Sequence, residues 1–292
     1  MNRKDFIKKG LMGSGALATA SSALGKILNE KKSLSPETDI IGFNHLPAEN
    51  EKVMKNMILH KADSRGLADH GWLKSRHTFS FAHYYNPERM QFGALRVLND
   101  DVIQGGRGFG THPHDNMEII SIALGGDLEH KDSMGNAAVI RQGDIQVMSA
   151  GRGIYHSEYN HNPDKEARFL QIWVFPNKRN VEPRYDQIHL NPQDRKDTFQ
   201  QILSPFPDDA GVWIHQDAWF HLGHFSKGKE ASYQLKKAGN GIYVFMISGI
   251  ASVNGQTLGA RDGLGIRDQN QLLFTASSDA EILLMEVPVG PS

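Results

Sequence analysis

The chain predicts an all-β fold in which two barrels stand in tandem, and three observations carry that expectation. Apolar or alternating runs of roughly four to eight residues recur between Gly, Asp and Asn turn signals, which is strand length. No stretch holds a helical period long enough for an amphipathic helix. The strand pattern of the first half returns after a proline-rich crossing, and 292 residues exceed what one core usually encloses.

Taken in order, residues 1–25 differ from the rest. A basic start (Arg3, Lys4, Lys8, Lys9) precedes a weakly apolar stretch of small residues from Gly10 to Gly25, too short and too small to anchor stably in a bilayer. This profile is that of a signal peptide. The run Arg3-Lys4-Asp5-Phe6-Ile7-Lys8-Lys9 resembles the twin-arginine export motif, with Lys4 in place of the second Arg. The expectation is an exported, periplasmic protein of a bacterium, and a cytoplasmic one if these residues are not a signal. Residues 26–55 mix Lys, Glu, Asn, Ser and Pro with few large apolar groups and read as a linker.

The folded part is expected as an N-terminal body over 56–185 and a C-terminal body over 186–292. Strands of the first are Phe92–Leu98, Met117–Leu124, Ala137–Ile140, Ile145–Met148 and Phe169–Phe175. Pro176, Pro183, Pro192, Pro205 and Pro207 punctuate the crossing, and Ile242–Gly249, Ala251–Val253 and Ile282–Val287 repeat the pattern. Hydrophobic residues make up 39% and charged residues 22%, ordinary for a globular protein; a net charge of −1 supplies no basic excess for nucleic acid. There is no cysteine, so core packing alone must hold the fold.

The chemistry gathers between Gly106 and Asn160. On a strand, residues i and i+2 share a face, so His112 with His114 and His156 with Glu158 are two ready chelates. If their strands are neighbours, three imidazoles and a carboxylate converge, a set that suits Fe(II), Mn(II), Co(II), Ni(II), Cu(II) or Zn(II). The spacing Gly106, His112, His114, Glu118, Gly125, then Gly143, His156 and Asn160 resembles the two-part cupin signature, with Ser149 where many cupins have Pro. In the second half only His215, His221 and His224 are candidates, and a spacing of three puts His221 and His224 on opposite faces of a strand. The second body therefore reads as a degenerate barrel without metal.

Longer motifs narrow the resemblance. Trp72–Phe81, Gly108–Glu118, His130–Asn136, Ser149–Glu158 and Gln171–Trp173 are similar to the pirin family of bicupins, nearest the bacterial pirin-like quercetin 2,3-dioxygenases. The resemblance spans roughly residues 57 to 288 and implies two double-stranded β-helix barrels. It also implies one divalent metal, usually iron, held by His112, His114, His156 and Glu158, and a monomer acting on a small aromatic substrate, a flavonol, with O2. The implied reaction is oxidative opening of the flavonol heterocycle with loss of carbon monoxide, Glu158 taking the hydroxyl proton because imidazoles that already donate a lone pair cannot. In this family the Glu after the third His is the ligand, so Glu118 is expected beside the metal shell or facing solvent. Asn160, His130 and Asp115 are candidate partners of the ligands, and Phe109, Phe79 and Phe81 candidate walls of an aromatic pocket. The competing reading is a non-enzymatic metal-binding regulator or sensor.

Overall fold

The computed structural model describes residues 56–290. The expected signal peptide (1–25) and linker (26–55) lie outside the described residues. Strands are numbered along the chain. The first is β1 (Met57–His60), followed by β2 (Gly66–Asp69), β3 (Leu73–His77), β4 (Leu95–Ile103), β5 (Gly108–His114), β6 (Glu118–Gly125), β7 (Leu128–Asp132), β8 (Ala137–Ile140), β9 (Asp144–Ser149), β10 (Ile154–Asn160), β11 (Ala167–Val174) and β12 (Arg184–His189). The second half holds β13 (Phe199–Ser204), β14 (Val212–Trp213), β15 (Trp219–Phe225), β16 (Glu230–Gln234), β17 (Asn240–Ser248), β18 (Ala251–Val253), β19 (Gln256–Leu258), β20 (Gly263–Ile266), β21 (Gln271–Ala276) and β22 (Ala280–Pro288). Among the described residues, helical structure is confined to the short 3-10 turns Ala62–Ser64 and Pro192–Arg195.

Each body pairs a seven-stranded sheet with a four-stranded one. The first uses β12-β9-β6-β11-β4-β3-β2 against β5-β10-β7-β8, the second β1-β20-β17-β22-β15-β13-β14 against β16-β21-β18-β19. Strand alternation divides the apolar residues of the large sheets between two duties. Ile120, Ile122, Leu170 and Ile172 of the first sheet meet Phe220, Leu222, Phe245 and Leu283 of the second in one core between the bodies. The opposite faces line the barrel interiors. The second interior is one continuous apolar cluster around Ile242, Val244, Phe274 and Leu284. The first interior is split into two small clusters, around Phe109 and Phe169 and around Ile119 and Ile154. The buried histidines His112, His114 and His156 belong to the first body.

The two bodies are laced together at the strand level. β1, at the head of the N-terminal stretch, pairs with β20 of the second body, His60 opposite Gly263 and Met57 opposite Ile266. Lys61 continues the attachment through an ion pair with Asp262, whose other oxygen accepts the Ala62 N–H at 2.8 Å. His60 Nδ1 and the Tyr243 hydroxyl are 2.8 Å apart in the buried seam, and burial, reinforced by the nearby Arg89, holds the imidazole down at about 4 and hence neutral. At the other crossing, β12 pairs with β9 of the first sheet, so the boundary drawn at 185/186 falls inside a strand. Its sequence, Arg-Tyr-Asp-Gln-Ile-His, has no apolar alternation, because only its partner strand is in the core. Gly93 shows how tightly the end of the chain returns. Its φ of 55° is left-handed, a Cβ there would collide with the Pro288 carbonyl, and that carbonyl accepts the Ala94 N–H at 2.9 Å.

Candidate metal centre

β5 and β10 are antiparallel neighbours, and their register sets His112 directly opposite His156 and His114 opposite Ile154. The two-residue period buries His112, His114 and His156 while Pro113 and Tyr155 between and beside them face outward. The turn feeding β10 depends on Gly151, where φ is 48° and a Cβ would run into the Val181 carbonyl. The three rings come together with centroids 4.3 Å (His112 and His156), 4.9 Å (His112 and His114) and 4.9 Å (His114 and His156) apart. One nitrogen from each lies within 4.8 Å of the others, the arrangement a single ion would need.

Neighbouring groups decide which nitrogens turn inward. His112 Nδ1 sits 2.8 Å from the Gly110 carbonyl, and His156 Nδ1 sits 3.5 Å from His130 Nδ1, so in both rings Nε2 is the atom left for a metal. His130 is itself fixed by Asp132 at 3.1 Å, and Asp132 is held by the Asn136 side chain at 2.9 Å. The His114 ring stands edge-on to Trp173 at 5.0 Å. Three imidazoles in a buried, cysteine-free pocket fit a divalent transition metal.

Glu158 shares the face of His156 and is 1% exposed. Its Oε1 accepts from Gln171 Nε2 at 2.8 Å, and Gln171 Oε1 accepts from the Ser121 hydroxyl at 3.4 Å. It is not within the 4.8 Å group formed by the three histidines. The register offers a reason: between His156 and Glu158 the pairing with β5 slips by one residue, so Glu158 faces Phe109 rather than Gly110. The sequence reading held Gln171 only as part of a motif and assigned Ser121 no role beyond its strand. The signal was there, since each is a polar residue inside an otherwise apolar strand.

The remaining expectations divide. His130 does adjoin a ligand ring. Asp115 is exposed and bonded by Asn116, and the Asn160 side chain donates to the carbonyls of Ile103 and Lys165, bracing a loop. Of the aromatic residues, Phe81 stands edge-on to Trp173 at 5.3 Å, and Phe81 and Phe109 close a small cavity with Ser75, His77, Asn99 and Asp101. Phe79 instead lies in the core between the bodies, against His60 and Tyr243.

Glu118 also departs from its expected place. Asn116 (φ 46°) breaks the strand after His114, so parity is not carried from β5 into β6. Glu118 shares its face with Ile120 and Ile122 and lies buried between the bodies, accepting from the Ser149 hydroxyl at 2.5 Å and from the His215 backbone N–H. The Ser that replaces the usual Pro therefore has a task that Pro cannot perform. Burial pushes the Glu118 carboxyl up to about 7, partly offset by Ser149, Arg184 and the His215 N–H. A carboxyl raised in the folded state adds stability that is full below the ordinary range near 4.5 and is lost as pH climbs through about 7. Glu118→Gln keeps the acceptor without the charge, so the variant is expected to match wild type at pH 4.5 and to exceed it above pH 8 by up to about 3 kcal/mol. Parallel denaturant titrations at the two pH values measure the difference, and a constant offset between the proteins would sink this account.

In the second body His221 is buried and His224 exposed on β15, on opposite faces as the spacing requires. His221 packs against Tyr233 at 4.9 Å, and burial holds it down at about 3.

The chain matches two family models, Pirin over residues 59–174 and the quercetinase C-terminal cupin domain over residues 201–287. It is 43% identical over 230 residues to a protein of Escherichia coli K12 named quercetin 2,3-dioxygenase, covering 79% of this chain and 98% of that one. It is also 43% identical over 225 residues to a pirin-like protein of Caulobacter vibrioides, covering 77% and 96%. The solved structure of the bacterial pirin YhhW of Escherichia coli in complex with nickel(II) superposes with a TM-score of 0.76 at 41% identity, covering 80% of this chain and all of that one. With two barrels, one of them opened around three convergent histidines, and with these matches across both halves, the chain belongs to the pirin family.

Proposed function

We propose that the protein is a metal-dependent dioxygenase that oxidatively opens the heterocycle of flavonols such as quercetin. The observation that carries the reading is the convergence of His112, His114 and His156, with the buried carboxylate of Glu158 two residues along the same strand. The naming of relatives at 43% identity as quercetin 2,3-dioxygenases supports it. His112, His114, His156 and Glu158 would hold one divalent metal, iron(II) in first place, with Ni, Cu, Co, Mn and Zn chemically compatible. When bound, such a metal supplies Lewis acidity toward the substrate oxygens and redox access to O2.

The protein's own contribution is positioning and proton handling. Glu158 takes the flavonol 3-hydroxyl proton, and Gln171 holds the carboxylate in place while it does so. Trp173, Phe81 and Phe109 offer flat apolar faces to an aromatic substrate and keep water from the reacting face. Expression of residues 26–292, determination of the bound metal, and O2 uptake with a panel of flavonols and catechols test the reading. Metal-loaded protein that consumes no O2 with any of them would move the assignment to a metal-binding regulator or sensor.

Residues 1–25 support export to the periplasm as part of the same reading. N-terminal sequencing of natively purified protein should find a mature start near residues 21 to 26, and an intact Met1 in a cytosolic fraction would refute it.

A further inference from the structure

We propose that a cavity between the two barrels is a binding site for a small organic monocarboxylate. The cavity measures about 240 Å³ and lies where β6 meets β15 and β17, with Ile122, Leu124, Leu222 and Ile247 as an apolar wall. Arg195 and Arg261 also line it. In each, the guanidinium nitrogen Nη1 is buried and has no hydrogen-bond partner among the described residues. A buried donor on a cation is costly when left unmet, and a guanidinium is shaped to receive a carboxylate.

The neighbouring carboxylates meet only part of what the arginines offer. Arg261 Nε approaches Asp100 at 3.5 Å, and Arg65 uses the same carboxylate at 3.3 Å; Arg195 Nε is 4.0 Å from Glu281. Arg195 and Arg261 thus spend Nε on a carboxylate and keep Nη1 for a further acceptor. Asp144 lines the cavity as well, with its oxygens turned to the Arg141 N–H, Gln187 and His189. Arg261 is held at φ 66°, a left-handed conformation unfavourable for a side-chain-bearing residue, with its N–H donated to the Met246 carbonyl at 2.6 Å. Two unmet guanidinium donors, apolar walls and a volume under the ~300 Å³ where drug-sized pockets begin select a compact acid with an apolar body, and clefts between domains are favoured places for such sites.

Benzoate is the probe, with benzyl alcohol as its uncharged counterpart. Calorimetric titration should show saturable one-to-one binding of benzoate to the metal-loaded protein and equally to His112→Ala, with a raised melting temperature in both and far weaker binding of benzyl alcohol. Arg195→Gln and Arg261→Gln should each weaken benzoate by about tenfold or more with metal content and O2 uptake unchanged. Should a Gln variant fail to fold, Arg195→Lys and Arg261→Lys decide, since they keep the charge and lose the forked geometry and should weaken benzoate severalfold. The proposal is overturned by no saturable binding, by equal affinity for the alcohol, by full-strength binding in the arginine variants, or by binding that disappears in His112→Ala and so belongs to the metal centre.

Discussion

Glu158→Gln is expected to keep the fold and much of the metal and to lose flavonol turnover by roughly 10² to 10⁴, the range for removing one general base. The amide oxygen can still coordinate, while the amide cannot accept the substrate proton. The buried side chain and its contact with Gln171 leave the substitution nearly isosteric, so the loss should fall on the rate and not on substrate affinity. Turnover at the wild-type rate with full metal content would show that the proton goes elsewhere. Gln171→Leu is the companion variant: it leaves the carboxylate but removes the group that orients it, and a smaller loss is expected.

His114→Ala should remove metal and activity together. Two imidazoles and the Glu158 carboxylate hold a divalent ion less tightly than the full set of four, and elemental analysis of the purified variant against wild type is the measurement. Because a ligand that binds only the folded state adds RT ln(1 + [L]/Kd), the melting temperature should drop toward that of chelator-treated wild type. It should drop no further, since the apolar clusters on either side of the site do not include the histidines. Unchanged metal content would remove His114 from the ligand set, and global unfolding would show that the metal holds the barrel together.

What could be read from the residues follows from how far a local period reaches. Within β5 and within β10 the two-residue alternation is rigid, so the facing of His112, His114 and His156 was legible. Apolar strands were legible too: Ala137–Ile140 and Ala251–Val253 end where the residues suggest, β9 and β22 extend one or two residues beyond the expected runs, and β17 begins two residues earlier and ends one residue earlier than expected. Alternation fails wherever a turn intervenes. Glu118 lies beyond Asn116 and faces the seam between the bodies, and Phe79 lies beyond the end of β3 and does the same. β7 gave no signal because only one of its sides is buried, and β12 gave none because neither side reaches the core. The pairing of β1 with β20 was out of reach for another reason: nothing in four residues names a partner so distant in the chain.

That pairing has a consequence for the order of events during synthesis. His60 leaves the ribosome long before Gly263, yet the two belong to adjacent strands, and the Ala94 N–H likewise waits for the Pro288 carbonyl. The first barrel therefore emerges with an edge of its neighbour attached and with the apolar side of its large sheet, Ile120, Ile122 and Leu170, still uncovered. Such an intermediate is slow to finish and prone to associate, which favours completion after release from the ribosome and under chaperone cover. Cutting the chain between the barrels would give two fragments with exposed seams in place of two independent domains, and heating should melt both barrels in one transition.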